Sequence, residues 1–520
     1  MRTEYSIKNS LTQFITNIIT ILFLFIGQTI FIKILGVEYS GLNGLFTNIL
    51  TVLNLFELGI GSSITYNLYK YVKEDNKETI KSIMYFYKKS YNYIAILTLI
   101  IGLSITSFTK YIVKDITVDI NIYLIYILFL LTTVSTYILS YKRNLIIANQ
   151  KNYIINIIQI TYIIILNIIQ ILILFITKNY YLYLIIKIIC ILIENVTINI
   201  KANKLYPFLK EKNIKPIKKE IKDNIINRVK ALIIHKTSGA VTNGTDNILI
   251  SAFLGITTTG LYTSYNYIIT SVKKLFGNII QTTTPSIGNL LTENDKEKNY
   301  QTFKKIRFLN YWITIFTSTS LLLITEPFIK IWLGKNYILP STVLIVLVIN
   351  YFQTMMRTSY STFKDAAGIW IEDKYIPILQ LSINLISSII LLKIIGLPGV
   401  FIGTILSSLV LWCYSYPKFV YKKLFNRQIK NYIKETITHI IIFIFIISLS
   451  FTLNKYSNNI IFSIIISITI PNIILLIIYR KNEEFKYYKN LILKKWDKNI
   501  YNIKNKSYNS YKDIRRFIWK

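Results

Sequence analysis

Charge is scarce in this chain, and acid is scarcer still. Only 16% of its 520 residues are Asp, Glu, Lys or Arg, where soluble proteins average roughly a quarter, which argues against a water-soluble enzyme. Carboxylates number 25 against 60 Lys plus Arg, a net charge of +35. In a soluble protein that excess would point to nucleic acid. Here the cations lie between long apolar runs, so they read as membrane topology and no nucleic-acid partner is expected. The two cysteines, Cys190 and Cys413, both sit in apolar runs and give neither a disulfide framework nor a metal quartet. His235 and His439 lie far apart and lack metal-ligand spacing. Gly255 and Gly260 have the glycine spacing of a phosphate loop, but Leu261-Tyr262 follow where Lys-Ser/Thr is required, and Gly36 and Gly41 fail the same test. There is no nucleophile elbow and no partnered pair of carboxylates. The chain is therefore expected to be no enzyme and to hold no cofactor or metal. Any work it does would draw on an H+ or Na+ gradient or on the membrane potential.

What is plentiful is apolar sequence, 52% of the whole. A run of about 20 apolar residues spans the hydrocarbon core as a helix. Fourteen such runs are read, at 13–34, 42–66, 91–110, 118–140, 153–176, 181–200, 231–254, 260–285, 307–329, 341–363, 376–395, 399–421, 435–453 and 460–479. The fold class is an all-α polytopic membrane protein. With the N-terminus inside, 49 of the 60 cations fall on inner segments and eight on outer connections; Lys187, Lys273 and Lys274 lie within spans. Positive residues stay on the cytoplasmic side, so both termini are expected there. Arg2 and Lys8 precede the first run without a small-residue cleavage site, so that run reads as a retained span.

The stretch from Phe31 to Lys70 returns about 220 residues later. FIKILGVEYSGLNGLFTNIL is matched by SAFLGITTTGLYTSYNYIIT, with Leu35-Gly36 and Gly41-Leu42 echoed by Leu254-Gly255 and Gly260-Leu261. Each copy reads as a helical hairpin whose turn uses the two glycines, Gly36 and Gly41 or Gly255 and Gly260, for their freedom at positive φ. Repeats of this kind build two-lobed transporters. Between the copies, Ile217, Ile221, Ile225 and Val229 recur every four residues among lysines. That stripe reads as an amphipathic helix on the inner leaflet or as a solvated linker. The basic, aromatic tail after Arg480 suits an anionic inner surface of membrane lipid.

A charge at membrane depth is costly unless it meets water or a partner, so each one is a candidate site. Asp246 stands in TNGTDNILIS with Thr242, Asn243, Thr245 and Asn247, a polar patch suited to a coupling ion, a substrate or a buried structural pair. Glu57 and Glu194 are either cavity groups or packing carboxylates. Lys273 and Lys274 lie near mid-depth of their span, too deep for both to snorkel, so at least one is expected to face a cavity. A compact ammonium there suits a phosphate or pyrophosphate. Arg357 either holds a phosphate or anchors at the inner interface.

TIFIKILGVEYSGLNGLFTNIL, ELGIGSSITYNLYK and TDNILISAFLGITTTGLYTSYN resemble the polysaccharide-biosynthesis transport family of O-antigen and capsule flippases. Its superfamily also holds multidrug/cation antiporters and the lipid II flippase. The resemblance implies two pseudo-symmetric six-helix lobes in a V around a central cavity, 1–200 and 231–425. It also implies a linker at 201–230, two further helices within 430–479 and a basic tail at 480–520. The implied substrate is an undecaprenyl-pyrophosphate-linked oligosaccharide, carried outward by alternating access, with a polysaccharide polymerase and glycosyltransferases as partners. Relatives often carry Arg just before Thr-Ile-Phe; Gln28 stands there in this chain. A drug/cation antiporter of the same fold is the alternative. A membrane polysaccharide polymerase fits less well, because every outer connection is short.

Overall fold

Every regular element among the described residues of the computed structural model is helical. The description covers residues 2–493 except 55–56, 58–59, 212–213, 294, 370–371, 456–458 and 492, and leaves out the side chains of 2–7, 10, 62, 231–232, 234–243 and 285. The helices are α1 (Arg2–Leu35), α2 (Val37–Leu53), α3 (Ile60–Lys73), α4 (Lys77–Thr106), α5 (Thr109–Ile112), α6 (Ile122–Tyr137), α7 (Arg143–Ala148), α8 (Asn152–Thr177) and α9 (Tyr180–Leu205). They continue with α10 (Lys219–Leu254), α11 (Ile256–Gln281), α12 (Thr284–Leu291), α13 (Lys296–Trp332), α14 (Ser341–Ala366), α15 (Ile376–Ile395), α16 (Leu397–Val410), α17 (Ile429–Asn454) and α18 (Ile460–Tyr479). A wider helical stretch, Leu411–Leu424, carries α16 on past Pro417.

Nine of the helices among the described residues are long and apolar enough to cross a membrane. The pair Ile122–Tyr137 and Ser140–Ala148, bent by 43°, makes a tenth. The other expected spans fall on α2 with α3, α10, α11 and α14, which are helical but more polar. The expected run 42–66 is not one helix. It ends at Leu53, and the chain passes the break through two short-range bonds: Glu57 N–H donates to the Asn54 carbonyl at 3.0 Å, and Ile60 N–H to the Glu57 carbonyl at 3.0 Å.

The repeat keeps a fixed interval. Helix α1 ends at 35 and α10 at 254, α2 starts at 37 and α11 at 256, α4 at 77 and α13 at 296, α6 at 122 and α14 at 341, each 219 residues on. Gly36 (φ 101°) and Gly255 (φ 86°) turn the first helix of each copy into the second, in a region where a Cβ is strained. Gly41 and Gly260 are not turn residues: both lie inside helices, α2 and α11. Their role is close packing, since a Cβ on Gly41 would strike the Ile256 carbonyl oxygen and one on Gly260 the Val37 carbonyl oxygen.

The chain divides into two compact units. The first holds residues up to Asn278, Phe328–Tyr351 and Gly368–Pro417; the second holds Ile279–Pro327, Phe352–Ala367 and the chain from Lys418. In the first unit one core gathers Phe31, Leu42, Phe46, Ile125, Tyr126 and Phe129 from α1, α2 and α6. A second core joins α3, α4, α7 and α9 and takes in Ile221 and Ile225 from the start of α10. Ile225 is 1% exposed, and Ile217 and Val229 pack against the same core. The stripe read as a lipid-facing helix or a solvated linker thus runs from just before α10 through its first three turns, and it faces protein. Burial of such a side chain stabilises by about 1.5–3 kcal/mol relative to exposure in water, which is why the period-four pattern docks here.

The second unit is organised around aromatic rings. Phe303 meets Tyr360, Phe363, Tyr421 and Phe425 with ring centroids 4.9–5.8 Å apart. Arg307, one turn along α13 from Phe303 and buried, pairs with Glu435 of α17 and donates to the Tyr421 hydroxyl. Tyr421 in turn donates to Glu435 at 2.5 Å. Trp312 Nε1 reaches Asn472 of α18 at 2.7 Å, so the last two helices are held to α13 by polar contacts at two levels.

Candidate functional site

Glycine lets α10 approach α2 closely. A Cβ on Gly244 would sit 3.1 Å from the Asn48 carbonyl oxygen, and one on Gly44 would lie 3.2 Å from Asn247 Nδ2 and against Thr263 Oγ1 of α11. Asp246 and Asn247 are enclosed at this crossing, 7% and 2% exposed. Oδ1 of each has no hydrogen-bond partner among the described residues. Thr263 spends its own hydroxyl proton on the Thr259 carbonyl, 2.7 Å away, so its oxygen faces the patch as an acceptor. A buried acceptor left unpaired costs about 1–3 kcal/mol, more when charged. The arrangement therefore offers oxygen acceptors to a proton, a cation or a ligand hydroxyl. Asn243 has its side chain outside the described residues, as does His235.

Glu57 and Glu194 meet a different set of partners. At the break after α2, the Glu57 carboxylate accepts from Tyr91 Oη at 2.8 Å, Tyr91 accepts from Tyr87 Oη at 2.9 Å, and Tyr87 accepts from Asn144 Nδ2. Beside Asn144, Arg143 pairs with Glu194 at 2.8 Å. Gly61 makes room for this chain, since a Cβ there would lie 3.1 Å from Tyr87 Oη and 3.3 Å from Tyr91 Oη. Both carboxylates thus belong to one polar network through α3, α4, α7 and α9. Of its members, Tyr87, Tyr91, Arg143 and Asn144 were not among the residues singled out from the sequence. The four-residue spacing of the two tyrosines, which puts them on one helix face, was the only local signal.

Lys273 and Lys274 are both exposed on α11. Lys187, about 10 Å along α9 from its first residue, lays its ammonium over the Phe129 ring, 5.7 Å from the centroid. Arg357 is half-buried on α14, with Nη2 3.4 Å from Thr354 Oγ1. Gln28 is buried and donates to Ser40 Oγ at 2.7 Å, a contact within the first copy of the repeat. His439 is buried, its ring 4.0 Å from that of Tyr311. Asp246, the lysine pair and Arg357 stand on three different helices, α10, α11 and α14.

At the glycine-turn end, the two copies are joined by hydrogen bonds. Ile256 N–H donates to the Lys114 carbonyl at 3.0 Å, Ser251 Oγ to the Ile112 carbonyl at 2.8 Å, and Trp332 Nε1 to Thr29 Oγ1 at 2.5 Å. Solved structures share this arrangement of helices. The lipid II flippase MurJ, in an inward closed conformation, matches with a TM-score of 0.63 and 16% identity over 91% of this chain and 99% of its own. The chain has the fold of the MOP transporters. An inward-facing multidrug resistance MATE transporter of that superfamily matches with a TM-score of 0.59 and 14% identity, over 75% of this chain and 91% of its own. A mutant of the Vibrio cholerae MATE transporter VcmN matches with a TM-score of 0.58 and 12% identity over 79% and 95%. No protein-family model matches the chain, and no curated protein matches it.

Proposed function

We propose that the protein is a flippase for an undecaprenyl-pyrophosphate-linked oligosaccharide, moving it from the cytoplasmic to the outer leaflet for surface polysaccharide synthesis. The observation that carries this reading is coverage. The lipid flippase fold extends over 91% of the chain, against 75–79% for the drug transporters. On this reading the repeats 1–200 and 231–425 are the moving lobes, the glycine-turn end is the outer gate, and both termini lie in the cytoplasm. Polar lining groups lower the cost of carrying sugar hydroxyls through hydrocarbon, where an unsatisfied group costs several kcal/mol. Asp246 with Asn247 is the coupling site for H+ or Na+, because its acceptors are enclosed and open to a cation. A polymerase and glycosyltransferases would supply and consume the glycan.

The enclosed acceptor at Asp246 also favours a second reading, a drug/cation antiporter. Deletion separates the two: a flippase leaves surface polymer unmade, an antiporter leaves polymer intact and lowers efflux of small cations. Asp246→Asn keeps the shape and removes the charge. It should reduce polymer export while the purified protein stays monodisperse with an unchanged melting temperature. Full export by that variant would remove Asp246 from the mechanism.

A further inference from the structure

A cavity of about 510 Å³ opens between α3 and the first turns of α10, at the end of α10 far from its glycine turn at Gly255. Its chemistry is that of an anion site. The Arg228 guanidinium lies over the Tyr66 ring, its Cζ 3.8 Å from the centroid, and its Nε donates to Asn224 Oδ1 at 2.9 Å. Ring and amide together hold the guanidinium in place. Its two terminal nitrogens carry no hydrogen bond and no carboxylate among the described residues. A held guanidinium with a free fork matches an oxyanion at two points. Lys70 adds a second cation to the rim, and Glu220 supplies one carboxylate. Tyr69, exposed, presents an apolar ring face beside them. Aromatic faces with amide and carboxylate acceptors around them suit the C–H face and hydroxyls of a sugar ring. The volume falls within the range of small-ligand pockets, about 300–1,000 Å³.

We propose that this cavity binds a phosphorylated sugar, with the phosphate on the Arg228 fork and Lys70 and the sugar ring against Tyr69. The site is separate from the Asp246 patch. It rests on the flippase reading only for its placement on the cytoplasmic side. The floor of the cavity is built by Ile221, which is buried in the core that holds α10 to α3, so an occupied site clamps the start of α10 to the first repeat. Two sources of the same chemistry reach it: the headgroup of a prenyl-pyrophosphate-linked sugar in the bilayer, or a soluble sugar phosphate.

The test titrates the full-length protein in nanodiscs with N-acetylglucosamine 1-phosphate and with inorganic phosphate, then repeats the titration with a prenyl-pyrophosphate-linked sugar in the disc. Saturable binding of the sugar phosphate is expected, at least tenfold tighter than phosphate alone. Arg228→Lys, which keeps the charge and loses the fork, should weaken it at least tenfold, and Tyr69→Ala by a similar factor. Lys73→Ala, a neighbouring exposed cation outside the cavity, should change it less than twofold. Displacement by the lipid-linked sugar assigns the site to the headgroup; undiminished binding in its presence assigns it to the soluble form. The proposal is overturned if neither probe saturates, if phosphate binds as tightly as the sugar phosphate, or if Lys73→Ala matches Arg228→Lys. A melting temperature for each variant separates lost binding from lost folding. Failure here with Asp246→Asn still blocking export would leave the flippase reading standing.

Discussion

Gly41 and Gly260, the same position in the two copies of the repeat, lie against one another. A Cβ on Gly41 would sit 3.2 Å from the Gly260 nitrogen, and one on Gly260 would sit 3.1 Å from the Gly41 nitrogen. Each also abuts a carbonyl at the start of the other's helix, Ile256 and Val37. Backbone cannot yield as a flexible side chain can, so even a methyl group forces α2 and α11 apart. Overpacking of this kind costs about 1–3 kcal/mol. Gly41→Val and Gly260→Val should each lower the melting temperature and raise labelling of a cysteine placed at Thr117 by a membrane-impermeant maleimide. Because the two sites touch, the double variant should cost less than the sum. Additive effects would mean that the glycines do not share one contact.

The start of α10 offers a test of what its apolar stripe faces. Ile225 is almost wholly buried and Ile217 only partly. Ile225→Ala should destabilise by about 2–4 kcal/mol, as for other large-to-small core changes, and Ile217→Ala by well under half of that. Denaturation midpoints of the purified variants measure the difference. A helix lying in the leaflet would show equal, small losses at both positions and would quench with lipid-borne spin labels.

That stripe marks where sequence reasoning stops. Period-four spacing states that one face is apolar, and it is the same whether lipid or protein covers that face. The turn at Gly36 and its copy at Gly255 were legible because positive φ leaves a residue-type signature, and the repeat because it preserves Leu-Gly and Gly-Leu at one interval. The role of Gly41 was not legible, since a glycine needed for close packing looks like a glycine needed for a turn. Glu57 and Glu194 stood out as charges in apolar runs, but their partners did not. Tyr91 is 34 residues from Glu57 and Arg143 is 51 from Glu194, and nothing local links them. Arg307 and Glu435, 128 residues apart, were invisible for the same reason.

The Arg307–Glu435 pair carries a prediction about stability. Removing one partner of a buried pair leaves an uncompensated charge and costs about 3–5 kcal/mol. Glu435→Ala should therefore lower the melting temperature sharply, and Tyr421→Phe by less, since it removes one hydrogen bond worth about 1.5–3 kcal/mol when the acceptor is charged. Replacing both charges, Arg307→Met with Glu435→Leu, should recover most of the loss, because no lone charge is left in the aromatic cluster around Phe303. If the double variant is as unstable as Glu435→Ala alone, the pair is holding α17 by geometry that an apolar contact cannot replace.

Lys273 and Lys274 follow one another on α11, so their side chains leave the helix about 100° apart, at 3.6 residues per turn. Both are exposed, and that separation keeps them from lining the same narrow surface. In the membrane one should therefore face water and the other should reach along the helix toward the interface. Cysteines placed singly at 273 and 274, with Cys190 and Cys413 replaced by Ser, would show which is which. One should label with a water-soluble maleimide and resist a lipid-phase quencher, and the other should do the reverse. On the flippase reading proposed above, neutralising the water-facing lysine should reduce export of the lipid-linked glycan at least tenfold, because that reading places a pyrophosphate beside it. The lipid-facing substitution should leave export within twofold. Two cysteines that both report lipid would leave α11 without a cation on the substrate path and would remove these lysines from the transport mechanism.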